Sequence, residues 1–307
     1  MKYNIKLVVA ALVSLAVFEG CKQKDKNSIA DASSTTSSKF VVDESFSPIV
    51  DEELYIFRAL YPKFHPEVVY APENDAVNLF LSDSIRVAIL ARDLTADEYK
   101  ALAARNAHPY ISRFAIDAIA LIVNQASVDT NITISQIKKM LNGNTKTDKD
   151  IVFDNPNSGL VRYLKNLSGN ATLKQKNIYS LKSNKEVIKY VSEHPNAIGI
   201  TGFSWLNDPD KDYADAVQKV KIVGVKDDVT KNAPNEFFTP SQNTLALKQY
   251  PLTRNLYIIR NTSKLGLEFD AFLISDRGQR IILKSGLLPD DIPNRKINIV
   301  NKIKIKD

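Results

Sequence analysis

Runs of apolar, β-branched residues alternate along the chain with segments that show helical periodicity. The apolar runs are short and are bounded by turn residues, which indicates buried strands. They lie at residues 86–91, 117–124, 150–155, 196–202, 220–225 and 255–260. Strands separated by helical segments predict an α/β fold whose sheets are largely parallel.

Capping residues mark where several of these helices begin and end. Ser47, which is followed by a proline, opens a segment with apolar residues at helical spacing. Residues 95–98 and 183–186 match the capping box, in which two side chains satisfy the first free amides reciprocally. Gly143 and Gly169 are placed to end helices.

The length and composition bound the architecture. A chain of 307 residues exceeds what one hydrophobic core usually organises, so we expect two lobes of comparable size. With 44% hydrophobic and 25% charged residues, the composition is that of an ordinary globular protein.

The net charge of +6 does not indicate a nucleic-acid-binding protein. The first 39 residues contain six lysines and three acidic residues, so half of the excess charge lies in that segment. The remaining +3 is spread over the rest of the chain without a basic patch or interleaved aromatic residues, and we expect no nucleic-acid partner.

The N-terminus has the features of an export signal. Lysines at positions 2 and 6 precede an apolar run that ends at residue 18, just before Gly20 and the single cysteine, Cys21. This arrangement resembles a bacterial lipobox and predicts a signal peptide at residues 1–20 and lipidation of Cys21. Residues 21–39 are polar and rich in Ser and Thr, which predicts a disordered tether.

The junction at residues 153–165 combines hydrogen-bond donors with a helix start. Asn155, Ser158 and Gly159 follow a strand, and Arg162 lies one turn into the helix. A helix N-terminus offers unsatisfied amides and a positive dipole end, so an anion is stabilised there. An ordinary capped helix with a solvated arginine explains the same residues.

Two further strand-to-helix junctions have the same character. Residues 42–49 place Ser45 and Phe46 at the start of the first helix, and residues 86–95 place Arg92 and Asp93 after a strand. Arg92 alone also fits a surface ion pair. Three junctions with hydroxyl groups, arginines and free amides together favour a shared anion site.

The ordered set of motifs resembles a known family. The motifs are DESFSPI, ILARDLT, FAIDAIALIVN with ITISQIKKMLNG, VFDNPNSGLVRYL, NAIGITG, and YPLTRNLYI with GQRIILKSGLLP. They are similar to the type 2 periplasmic binding proteins, specifically the lipid-anchored phosphate-binding proteins of ABC transporters. The resemblance implies two α/β lobes, each a mostly parallel sheet flanked by helices, joined by crossover strands. Residues 40–115 and 250–307 would form lobe I, and residues 116–249 lobe II.

The resemblance implies one dehydrated phosphate clamped between the lobes. Ser45 and Phe46 would supply a hydroxyl and an amide from lobe I. Ser158 and Gly159 match the first two residues of a Ser-Gly-Thr turn in lobe II, whereas Leu160 replaces its threonine.

The resemblance also implies which residues balance the charge of the bound phosphate. Arg92 or Arg162 would neutralise the anion, and Asp93 would accept the phosphate proton, which discriminates against sulfate. Glu73 and Asp75 stand where many members of the family have a Gly/Ser-rich loop, and they would oppose an anion if they faced it.

Other polar residues carry weaker signals. Asp117 and Asn124 bracket a predicted crossover strand, where a structural role and a ligand contact are both open. The three histidines lack metal-ligand spacing, and the acidic run at 208–212 has Tyr213 where a calcium loop requires glycine. The sequence predicts no metal site and no cofactor.

The sequence therefore predicts a monomeric extracytoplasmic lipoprotein, anchored in a bacterial cell envelope, that delivers an oxyanion such as phosphate to an ABC permease. It predicts a receptor and not an enzyme. Two alternatives stay open, namely a surface or sensory interaction protein that keeps the fold without the ligand, and an exported phosphoesterase.

Overall fold

The computed structural model describes residues 39–144, 148–173 and 175–293. The predicted signal peptide, Cys21 and the tether as far as residue 38 lie outside the described residues. Lys39, the last residue of the predicted tether, instead begins the first strand.

Strands and helices alternate through most of the described residues, as the sequence predicts. The strands are β1 Lys39–Asp43, β2 Glu67–Ala71, β3 Val87–Leu90, β4 Tyr110–Asn124, β5 Asn131–Thr133, β6 Asp150–Phe153, β7 Ile178–Ser180, β8 Ala197–Gly202, β9 Val220–Ile222, β10 Gly224–Lys226, β11 Thr253–Arg260 and β12 Leu288–Pro289. The α-helices are α1 Ser47–Leu60, α2 Glu73–Leu81, α3 Ala96–Ala103, α4 Ile134–Leu141, α5 Gly159–Ser168, α6 Asn184–Glu193, α7 Ser204–Asn207, α8 Ala214–Gln218, α9 Gln242–Ala246, α10 Lys264–Leu273 and α11 Asp276–Lys284. A 3-10 turn at Glu44–Phe46 leads into α1.

The main sheet has two halves that share one long strand. Its order is β2-β1-β3-β11-β4-β8-β6-β7. We call β2, β1, β3 and β11 the first half, and β8, β6 and β7 the second half. Strand β4 pairs with β11 up to Ala118 and with β8 from Ile119 onward. This change of partner lies near the predicted lobe boundary at residue 116, which stays a prediction.

The strands that feed into helices are parallel, and the crossover strands are antiparallel to their neighbours. Strand β1 is parallel to β2 and β3, and β6 is parallel to β7 and β8. Strands β4 and β11 run antiparallel to their partners. The predicted α/β class is therefore confirmed. The carboxyl ends of β1, β3 and β6 lead directly into the polar junctions of interest.

Local sequence signals account for most element boundaries. Thr95 forms the predicted capping box with Glu98, and Gly169 ends α5 in the left-handed conformation, with φ of 68°. Ser183 accepts from the Glu186 amide, but the Glu186 carboxylate accepts from the Lys182 amide, so this box is only half formed.

One predicted strand is divided in the structure. The apolar run at 220–225 forms two short strands that separate at Val223, because β9 pairs with β4 whereas β10 pairs with β5 in a small second sheet. A continuous apolar pattern does not reveal such a change of partner. The prediction of a single strand was wrong here.

Aromatic packing anchors α1 against the C-terminal helices. Phe57 is fully buried, and its ring centroid lies 5.1 Å from that of Phe269 and 5.5 Å from that of Phe272. Tyr55, on the opposite face of α1, is 74% exposed. The amphipathic pattern that predicts α1 thus also sets which face is buried.

We expect Phe57→Ala to lower the free energy of unfolding by about 3–5 kcal/mol, because it removes a buried ring and leaves a cavity. Tyr55→Ala is the matched control on the same helix, and it should change stability by no more than about 0.5 kcal/mol. Urea unfolding followed by circular dichroism measures both. Equal effects of the two substitutions would contradict the assigned packing.

Candidate functional site

Two predicted hydroxyl groups meet between the halves of the sheet. Ser45 follows β1 and Ser158 follows β6, and both side chains are buried. The Ser45 Oγ donates to Asp154 Oδ2 at 3.3 Å, and the Ser158 Oγ donates to Asp154 Oδ1 at 2.6 Å. The structure therefore brings together the two serines that the sequence places on separate junctions.

The N-terminus of α5 faces carboxylates of the first half. Ser158 caps the helix by accepting from the Val161 amide at 3.2 Å, and the Gly159 amide donates to Asp43 Oδ2 at 3.2 Å. A Cβ atom at position 159 would lie 2.5 Å from carboxylate oxygens of both Asp43 and Glu73. Only glycine permits this approach, because any side chain would collide with the two carboxylates.

Both predicted arginines contact Glu73. The Arg162 Nε donates to Glu73 Oε1, and its Nη2 donates to Oε2 at 3.0 Å. The Arg92 Nε donates to Oε1 at 3.3 Å, while its two Nη atoms donate to Glu98 at 2.7 Å each. Glu73 has no exposed surface. The two arginines that the sequence predicts to bind an external anion thus pair with a carboxylate of the chain itself.

Burial raises the pKa of two carboxyl groups in this cluster. Burial raises the pKa of Asp154 from its ordinary value to about 7, although the hydrogen bond from Ser158 opposes the shift. Burial also raises the pKa of Asp43, and the nearby Glu73 charge adds to that effect. The side chain of Asn184 donates to Asp154 Oδ2 at 3.1 Å. Close packing of the carboxylates is therefore eased by proton uptake and by hydrogen bonds.

Arg254 supplies a further buried cation that the sequence reasoning missed. Its Nε donates to Asp117 Oδ2 at 2.9 Å, and its guanidinium lies 4.4 Å from the centroid of the Phe46 ring. The Nη1 atom has no hydrogen-bond partner and is buried. An arginine near the start of an apolar strand, β11, was the signal that could have identified it.

The sequence analysis also did not identify three further residues of the cluster as site residues. Asp43 and Asp154 each follow a run of buried apolar residues at the end of a strand, and Asn184 opens α6. A carboxylate at the carboxyl end of a buried strand is a pattern that favours a site residue. Asp43 and Asp154 both show this pattern, which could have been used to identify them.

Two predicted site residues lie outside the cluster. Asp93 is exposed and accepts from the Leu94 amide at 2.6 Å and from the Tyr99 hydroxyl at 2.7 Å. The side chain of Asn155 accepts from the Asn157 amide at 2.9 Å and shapes the turn before α5. Each of these polar groups is used within its own loop, and the assignment of both residues to the site stays a prediction.

The residues that the sequence left open have structural partners. Asp117 pairs with Arg254, and Asn124 donates to the carbonyl oxygens of Val191 and Ser192. Leu160 is fully buried in the core, so this position of the turn contributes no hydroxyl group.

Within residues 39–144, 148–173 and 175–293, no group of three or more His, Cys, Asp or Glu side chains is arranged to hold a metal ion. Across the same described ranges, no helix has the length and apolar character needed to span a bilayer.

We expect the stability of the wild-type protein to depend on the proton of Asp154. A buried carboxyl with a raised pKa is protonated in the folded chain while the unfolded chain is ionised, so folding takes up a proton between about pH 4 and pH 7. Asp154 should therefore lower the free energy of unfolding as the pH rises through this window, by up to about 1.4 kcal/mol per pH unit. Other buried carboxyls with raised pKa values, such as Asp43 and Glu53, add slopes of the same sign.

Urea unfolding across this pH window measures that slope. Asp154→Asn should make it shallower, because the titrating group is absent, whereas the exposed control Asp93→Asn should keep the wild-type slope. Identical slopes in all three proteins would contradict the assigned pKa.

Comparisons with known proteins agree with this architecture. A family model described as the PBP superfamily domain matches residues 30–277. The phosphate-binding protein PstS of Borreliella burgdorferi is 26% identical over 305 residues, covering 92% of this chain and 97% of the relative.

Two solved structures have a similar fold. One is a substrate-binding protein from Clostridium perfringens, assigned to phosphate ABC transport and solved with bound phosphate. It has a TM-score of 0.68 and 21% identity, with 82% of this chain and 99% of that chain covered. The other is an ABC-type phosphate transport receptor from Vibrio cholerae, with a TM-score of 0.61 and 20% identity, covering 81% of this chain and 98% of that one. The predicted resemblance is confirmed at the level of fold and family, and this chain belongs to the PBP superfamily.

Proposed function

We propose that this protein is an extracytoplasmic solute-binding protein that captures an oxyanion for an ABC importer, and that this oxyanion is inorganic phosphate. The observation that carries the proposal is the meeting of two hydroxyl groups, a helix N-terminus and two arginines between the halves of the sheet. Hydroxyl groups, backbone amides and guanidinium groups are the donors that bind phosphate. The phosphate-binding relatives support the choice of anion.

Binding would exchange partners within the cluster. In the present structure, Ser45 and Ser158 donate to Asp154, and Gly159 donates to Asp43. An entering phosphate would accept these hydrogen bonds, and a carboxylate freed from them could accept the proton of the bound anion. We propose Asp154 or Asp43 for this role in place of Asp93, because both lie inside the cluster. A fully ionised sulfate has no proton to donate and would be repelled.

Capture would be coupled to closure of the two halves around the ligand. The donors come from both halves, so an anion that contacts all of them stabilises the closed arrangement over an open one. The proposal requires no bond to be made or broken in the anion. It also includes action as a monomer, lipid anchoring through Cys21 on the periplasmic side of a bacterial membrane, and delivery of the anion to a membrane permease.

A second candidate function is favoured by the same site. Three buried carboxylates, those of Asp43, Glu73 and Asp154, already satisfy the donors that an oxyanion would need. A surface or sensory interaction protein that keeps the fold without binding an oxyanion would look like this. Ligand binding by the purified protein separates the two candidates.

We expect millimolar phosphate to raise the midpoint of thermal unfolding, because a ligand at about 1,000 times its dissociation constant adds about 4 kcal/mol of stability. Sulfate at the same ionic strength should have a smaller effect. Arg162→Ala should abolish the phosphate effect, and the control Asp93→Ala should keep it. A wild-type protein that responds to neither anion would favour the interaction protein.

We expect the lipid anchor to depend on Cys21. Full-length protein expressed in a bacterial host should partition into the detergent phase of a Triton X-114 extraction, and Cys21→Ser should move it to the aqueous phase, because the acylated thiol is removed. Equal partitioning of the two proteins would contradict lipidation at this position.

A further inference from the structure

We propose that Glu73 is a resident competitor for the oxyanion and that it holds the two halves of the sheet together when no anion is bound. This inference rests on the proposed function, because it assigns a specificity-determining and closing role to one residue of the same site.

The groups that surround the Glu73 carboxylate are those that an anion would require. Its carboxylate is fully buried, lies against Gly159 at the N-terminus of α5, and accepts two hydrogen bonds from Arg162. Arg92 approaches the same carboxylate at 3.3 Å. A paired arginine contact, a second cation and a positive helix end are what a phosphate would require there.

The location of Glu73 in its own helix does not explain this arrangement. Glu73 is the first residue of α2, where an acidic side chain ordinarily stays near the surface and interacts with the free amides of its own helix. Asp75, two residues further on, is exposed. The side chain of Glu73 instead contacts α5, the helix that follows β6 of the second half.

The contact therefore crosses between the halves, and other hydrogen bonds cross beside it. The Asn74 amide donates to the Asn157 carbonyl oxygen at 3.3 Å, next to the Glu73 pair. The Trp205 indole Nε1 donates to the Ser45 carbonyl oxygen at 2.9 Å. The closed arrangement is thus held by groups of the chain itself.

The charge of Glu73 has two opposite effects on phosphate binding. Removing its charge would leave Arg162 partly buried without an anionic partner, which favours entry of an external anion. Removing it would also break an ion pair that favours closure. Wild-type protein would consequently bind phosphate more weakly than the donor set alone allows, and only an anion that replaces the Glu73 contacts would bind stably.

The chain carries a built-in reporter for closure. Trp205 is the single tryptophan, it is buried, and its indole group bonds across the halves to Ser45. Opening would break that bond and expose the ring to solvent. Quenching of its fluorescence by acrylamide therefore reports whether the halves are closed.

The experiment compares the wild-type protein with Glu73→Gln, and Asp75→Asn serves as the matched control. The control removes one negative charge from the same helix turn at an exposed position. Without phosphate, we expect Glu73→Gln to raise the acrylamide quenching constant at least twofold, and Asp75→Asn to leave it unchanged. Phosphate titration should give a dissociation constant at least tenfold lower for Glu73→Gln than for the wild-type protein.

A second substitution guards against misfolding. Arg162→Gln breaks the same ion pair from the other side, so it should also raise quenching without phosphate but should not tighten phosphate binding. Cooperative thermal unfolding shows that each variant is folded, and the binding and quenching results are compared for folded variants.

The outcomes separate this inference from the proposed function. Unchanged quenching in Glu73→Gln overturns the closing role, and an unchanged dissociation constant overturns the competition. Increased quenching in Glu73→Gln, with phosphate bound by neither protein, supports the closing role and overturns the phosphate-binding function.

Discussion

The ion pair between the buried Glu73 and the partly buried Arg162 is the interaction on which the arrangement of the site depends. It joins the start of α2 to the first turn of α5, and these helices follow strands in different halves of the sheet. A buried charge without a partner is strongly destabilising, so the Glu73 carboxylate requires a cationic partner such as Arg162. In the proposed function, a phosphate would take the place of Glu73 opposite Arg162.

The surrounding cluster accommodates carboxylates that lie close together. Gly159 lets two carboxylates approach the helix N-terminus, and the raised pKa values of Asp43 and Asp154 allow protons to reduce the repulsion. Arg254 adds a buried positive charge next to Phe46. The same donors that hold these carboxylates would serve an oxyanion, which explains how one fold can bind the ion or close without it.

The sequence predicted the scaffold better than the site. Apolar runs and caps located β3, β8, β11 and α1, because periodicity and capping are local properties of the chain. The junctions were also found, since a serine or glycine before a helix is a local signal.

Side-chain partners were not predictable in the same way, because they depend on elements far apart in sequence. Arg92 lies at the expected junction but uses two nitrogens for Glu98, which belongs to the capping box of the helix that follows. Asp93 accepts a hydrogen bond from Tyr99, and the carboxylates that lie inside the cluster are those at the ends of β1 and β6.

A crystal structure of the wild-type protein grown with phosphate tests the central claim most directly. We expect a tetrahedral anion within hydrogen-bond distance of Ser45 Oγ, the Gly159 amide and the Arg162 guanidinium, with the Glu73 carboxylate displaced from Arg162. Crystals grown in saturating phosphate that retain the Glu73–Arg162 pair, with no anion between the halves of the sheet, would contradict it.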